Sequence, residues 1–130
     1  MGIPSTDVVT EISGLRVLLC GADAVPIASE GDTDDLLGTA FGEGADLIAI
    51  PAARLSPDFF RLASGLAGRI TQRFVNYRLR LAVIGDISAH LALSGPLRDF
   101  VREANGGESL WFVGTIEELT ERLRGAAARG

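Results

Sequence analysis

Residues Ser56–Gly85 read SPDFFRLASGLAGRITQRFVNYRLRLAVIG, and the periodicity of this stretch decides the fold. Ser56 followed by Pro57 has the form of a helix start: a capping residue, then a proline whose fixed φ suits the first helical position. Phe59, Ala63, Leu66, Ile70, Phe74 and Tyr77 then recur at spacings of three and four. That spacing predicts a core-facing stripe about six turns long. Arg61, Arg69, Arg73 and Asn76 fall largely on the opposite side, and the basic character continues to Arg78. Gly65 and Gly68 weaken the helix but would admit a neighbouring backbone at close range. The apolar run Leu81-Ala-Val-Ile84 that follows is the signature of a strand covered on both faces.

Outward from this unit the same alternation repeats. Upstream, Asp46–Ile50 is a second buried strand ending at Pro51. A helix precedes it, capped by Asp32 or Thr33, with Asp34 and Asp35 in its first turn. Its inner face is Leu36, Leu37, Ala40 and Phe41, and Gly42 and Gly44 stop it. Residues 21–31 form a loop. Asp7–Ile12 and Leu15–Cys20, joined by Ser13-Gly14, predict an antiparallel hairpin. Downstream, residues 88–94 make a helical turn, and Pro96 opens a helix with Leu97, Phe100, Val101 and Ala104 inside. Asn105-Gly-Gly107 closes it, and Leu110–Val113 is the last strand. Thr115 and Glu118 form a capping box for a final helix with Ile116, Leu119 and Leu123 inside and Arg122 and Arg124 in its last turn. The order β-β-α-β-α-β-α-β-α implies right-handed crossovers and a mostly parallel sheet of four to five strands, with about four helices and the first strand antiparallel at an edge.

With 130 residues, the chain suits a single domain spanning 1–130, with residues 1–5 and 126–130 as flexible ends. Its 47% hydrophobic content supplies a core, and its formal charge of −5 argues against general binding to nucleic acid. The charge is segregated. Residues 1–50 hold nine acids and one Arg, whereas residues 51–105 hold eight Arg and four acids. A single cysteine, Cys20, allows no internal disulfide. The absence of a leader pattern and of a run of ~20 apolar residues places the expected location in the cytoplasm, away from membranes.

The blocks Pro57-Asp-Phe-Phe-Arg-Leu, Gly65-Leu-Ala-Gly, Arg73-Phe-Val-Asn-Tyr-Arg, Leu81-Ala-Val-Ile-Gly-Asp-Ile-Ser, Pro96-Leu-Arg-Asp-Phe-Val-Arg-Glu-Ala-Asn and Trp111-Phe-Val carry a resemblance over about residues 46–124. Together they resemble DUF4180, a bacterial family of unknown function, from which Arg69 and Ala104 depart. The element order also looks like the STAS domain of anti-sigma-factor antagonists. That likeness implies docking on a partner, controlled by phosphorylation of a serine at the helix start that Ser56 occupies, though the Asp-Ser-Ser-Gly type of motif is absent.

Candidate chemistry lies where a parallel sheet presents it, beyond the carboxyl ends of the strands. Asp86 follows a buried strand there, with Ser88 and the lone histidine, His90, close by in sequence, and Ser56 at the next strand end. Against a catalytic role, Asp86 can simply bond the following turn, Ser56 can cap, and His90 lacks a clear partner to orient it. Cys20 reads as a small buried residue. Asp32, Asp34 and Asp35 lack the spacing of a calcium loop, and no metal or cofactor is implied. Arg61, Arg69, Arg73, Asn76 and Arg78 form either a solvated face or a surface for an acidic partner, including the acidic half of a second copy. The leading expectation is a non-enzymatic, STAS-like interaction or regulatory module acting on a protein partner or on itself as a homodimer. The alternative is a ligand-binding or catalytic domain using Ser56, Asp86, Ser88 and His90.

Overall fold

The computed structural model describes residues 2–129, with side chains described as far as residue 125. Met1 and Gly130, within the expected flexible ends, lie outside the described residues. Five strands form one sheet: β1 (Val8–Ile12), β2 (Leu15–Leu19), β3 (Leu47–Pro51), β4 (Arg80–Ile84) and β5 (Leu110–Val113). Five helices accompany them: α1 (Asp34–Glu43), α2 (Leu66–Asn76), α3 (Ser88–Leu93), α4 (Gly95–Gly106) and α5 (Ile116–Arg129). β1 pairs antiparallel with β2 through the expected tight turn, and the remaining pairs are parallel.

The spatial order of the strands is the sequence order, β1-β2-β3-β4-β5. Each crossover therefore steps one strand further in the same direction, and right-handed crossovers that do so deliver their helices to one face. The core divides accordingly. Leu18, Ile48, Ile50, Leu81, Val83, Leu110 and Phe112 point to the face that packs α1, α2 and α4. Val17, Leu19, Leu47, Ala49, Ala82, Ile84, Trp111 and Val113 point to the other, where α5 supplies Ile116, Leu119 and Leu123. The strict alternation of β4 between these two clusters is what the run Leu81–Ile84 required.

The long helix expected from Ser56 to Tyr77 is broken. Pro57–Phe60 and Leu62–Ser64 are 3₁₀ turns, and α2 begins only at Leu66. Gly65 is the break: its φ of 73° is left-handed, a conformation that ends a helix and that glycine adopts at little cost. Ser64 fixes the bend by donating its hydroxyl to the carbonyls of Asp58 and Arg61 while accepting from the Leu66 N–H. Leu66, Ile70 and Phe74 keep their inward stripe, and Phe59 and Phe60 are both buried from the first 3₁₀ turn. Ala63 and Tyr77, expected inside, are exposed.

Phe41 also departs from expectation, at 81% exposed. At about 100° per residue it lies roughly 90° from the centre of the stripe made by Leu36, Ala40 and Leu37, so it clears the sheet. Gly42 falls within α1, and Gly44, left-handed, ends it. α5 continues past Arg122 and Arg124, which are therefore not in its last turn. Arg122 and Arg80 instead lie against the Trp111 ring, 4.4 and 5.6 Å from its centroid. Thr115 caps α5 by accepting the Glu118 N–H, while the Glu118 carboxylate accepts from the Gly114 N–H, one residue before the cap, rather than from Thr115 as in a capping box.

Candidate functional site

The carboxyl ends of β2 to β5 lie at one edge of the sheet, and the rim residues gather there. Gly85 leaves β4 with a φ of 144° and passes so close to Ala52 that a Cβ would stand 3.1 Å from the alanine's own. This turn sets Asp86 at the surface. Its Oδ1 accepts the Ser88 N–H at 2.9 Å, closing the first turn of α3. The Ser88 hydroxyl, and secondly this N–H, hold the carboxyl below its ordinary range. Asp86 is thus occupied in the turn that starts α3, as its position after a strand allows.

Ser56 precedes a 3₁₀ turn rather than a helix, and its hydroxyl makes no capping bond. Ser56 Oγ is buried and has no hydrogen-bond partner among the described residues. The His90 ring stacks flat on Phe60, with centroids 4.1 Å apart and planes 11° from parallel. Two hollows adjoin it. One, about 270 Å³, is walled by Pro51, Ala52, Asp86, Ile87 and His90. The other, about 320 Å³, is walled by Pro57, Phe60, Arg61, His90, Leu93 and Ser94. Asp86 and His90 thus share a wall, while Ser56 lines neither hollow. The strand order never reverses, so the rim lacks the switch-point crevice in which open α/β sheets hold ligands.

Arg61, Arg69, Asn76 and Arg78 are exposed and Arg73 is half-buried, and several of these side chains pair within the chain. Arg69 pairs with Glu30 at 2.9 Å, and Arg73 pairs with Asp34 and reaches the Glu30 carbonyl. Arg61 pairs with Asp58 three residues earlier, and Asn76 accepts from Gln72. Arg78, exposed at a φ of 59°, has no ion pair among the described residues. The segregated charges of the two halves of the sequence therefore meet, in part, within one molecule. The segment 30–34 that carries the acids packs directly on α2.

The residue the sequence left unremarked is Arg54, only 7% exposed. Its Nε donates to the Val25 carbonyl at 3.0 Å, and one terminal nitrogen donates to Asp7 Oδ1 at 3.1 Å and the Gly21 carbonyl at 3.4 Å. Asp7 Oδ1 also accepts the Gly21 N–H at 2.7 Å. This clamp ties the entry to β1, the loop after β2 and the end of β3. A lone charged residue between Ala53 and Leu55, just past a buried strand, was its signal in the sequence.

Cys20 is buried beside this clamp. Burial foremost, then the charge of Asp7, pushes its thiol from 9.0 up to about 12, with Arg54 opposing. The folded chain therefore keeps the thiol proton between pH ~9 and ~12 where the unfolded chain releases it. Stability held below that window is lost as pH rises through it. Cys20 is expected to resist Ellman's reagent at pH 8 and to react fully in denaturant. Rapid reaction of the native protein would contradict the buried placement.

A family model described as a domain of unknown function, DUF4180, matches residues 12–123. No curated protein and no solved structure matches the chain.

Proposed function

Because the chain belongs to the DUF4180 family, whose name assigns no activity, we propose that it is a non-enzymatic interaction module that associates with a second copy through the rim around His90 and Leu93. The observation that carries this reading is Leu93, a leucine 89% exposed at the end of α3 and bordering the 320 Å³ hollow. A projecting apolar side chain beside an apolar hollow is a knob and a socket on one surface. Two-fold association needs such a self-complementary patch. Burying a leucine contributes about 2 kcal/mol, and anchors seated in pockets dominate interface energies. The stacked His90 and Phe60 rings give the hollow a rigid wall.

A small-molecule reading of the same rim rests on the hollow where Asp86 and His90 meet. The bond from Ser88 to Asp86 counts against it. Light scattering after size exclusion tests the proposal. The wild type is expected to show a dimer that grows with concentration, and Leu93→Asp, folded by circular dichroism, a monomer throughout. A wild type that stays monomeric at high concentration, or a Leu93→Asp dimer, would refute it.

A further inference from the structure

α2 and α4 lie on the same face of the sheet but leave a groove of about 350 Å³ between them. Its origin is in the sequence. Gly68 on α2 and Ala104 on α4 are small where packed helices would otherwise interdigitate. The expected close approach of a backbone at Gly68 does not occur, since a Cβ built there meets nothing within 4 Å. The groove also has apolar lining from Phe100 and Leu110, the former steadied edge-on against Phe112 with centroids 6.2 Å apart.

Its polar groups sort into two kinds. The Thr71 hydroxyl donates to the Ala67 carbonyl, and the Gln72 amide donates to Asn76, so both are engaged within α2. Glu103 and Glu108 differ: both are exposed, and neither carboxylate has an ion pair or hydrogen bond among the described residues. They stand at the C-terminal end of α4, whose last turn contains no basic residue and whose dipole end is negative. Arg122 reaches one carbonyl there, that of Asn105. An apolar cleft with two unpaired carboxylates on its border is complementary to one kind of guest.

We infer that this groove binds a small organic cation with an apolar body, of the aryl-alkyl amine class: the hydrocarbon lies against Phe100, Ala104 and Leu110, and the ammonium lies between Glu103 and Glu108. The site shares no lining residue with the hollows at the rim and is independent of the dimer proposal.

Phenethylamine is the probe, with phenethyl alcohol and phenylacetate as neutral and anionic counterparts, followed by amide chemical shifts of the full chain. Phenethylamine is expected to shift Gly68, Phe100, Ala104 and Leu110 saturably at millimolar concentration, the alcohol more weakly, and phenylacetate not at all. The double variant Glu103→Gln, Glu108→Gln should weaken the amine about fivefold and leave the alcohol unchanged, because exposed charge pairs are individually weak. Gly68→Leu should fill the groove and abolish binding. Its Cβ site is open and leucine favours a helix over glycine, so its melting temperature should not fall. Equal binding of phenylacetate, retained binding in folded Gly68→Leu, or no shift at the groove residues would each overturn the inference.

Discussion

A chain ended at Gly114 is expected to lose cooperative folding altogether. The one-way winding of the sheet places α1, α2 and α4 on one face, and α5 is the helix packed on the other. Removing it strips Ile116, Leu119 and Leu123, all buried, for a loss of roughly 5–9 kcal/mol at about 1.5–3 kcal/mol each. It also exposes Val17, Leu47, Ala82 and Trp111 on the sheet itself. A domain is held by roughly 5–15 kcal/mol in total, so this loss consumes most or all of it. Trp111 is the single tryptophan and reports directly. In the full chain its emission should be blue-shifted and shielded from iodide; in the shortened chain it should be red-shifted and quenched, with no sigmoidal melt. A shortened chain that melts cooperatively with Trp111 still shielded would mean that something other than α5 covers that face.

Arg54→Ala should be the most damaging single substitution among the charged residues, lowering stability by about 3 kcal/mol. Breaking a buried ion pair costs about 3–5 kcal/mol when the abandoned charge stays dry. Asp7 retains access to water, so the lower end applies, but the Val25 and Gly21 carbonyls also lose their donor. Asp7→Asn should cost less, about 1 kcal/mol, because its amide oxygen can still accept from Gly21 N–H. Urea unfolding of the two variants measures the difference. An Asp7→Asn variant as unstable as Arg54→Ala would show that the carboxylate, not the arginine, organises the clamp.

The parts of the fold that could be read from the sequence share one property: a local signal and the tertiary structure agree. The run Leu81–Ile84 names a strand covered on both sides, and β4 lies between β3 and β5 with both faces packed. The Thr115 cap on the Glu118 N–H and the Ser13-Gly14 turn are likewise local devices that formed as expected. The stretch from Ser56 misled because apolar spacing of three and four survives a bend. Phe59 reaches the core from a 3₁₀ turn and Ile70 from α2, and nothing in the spacing reveals the left-handed Gly65 between them.

The site was less legible than the fold. Asp86 and His90 were placed at the rim by the strand-end rule, and both stand there. The Ser88 partner of Asp86 is a local turn bond that the sequence allowed for, whereas the stacking of His90 on the Phe60 ring is a tertiary contact that periodicity does not reveal. The ion pairs of Arg69 and Arg73 were not legible because helical spacing says nothing of Glu30 and Asp34, some 40 positions away in the chain and adjacent in space. The Arg54 clamp joins three separate segments, and only the folded topology brings those together.

The division of helices between the two faces underlies both the rim and the α2–α4 groove, and a paramagnetic label measures it directly. A nitroxide at Arg124→Cys, in a Cys20→Ala background, would sit on the exposed side of α5. Methyl signals of Leu19, Ile84 and Val113 should broaden strongly. Those of Leu37, Ile70 and Leu97 should stay sharp, about 20 Å away across the sheet. Strong broadening of Ile70 or Leu97 would place α5 on the same face as the other helices and contradict the architecture.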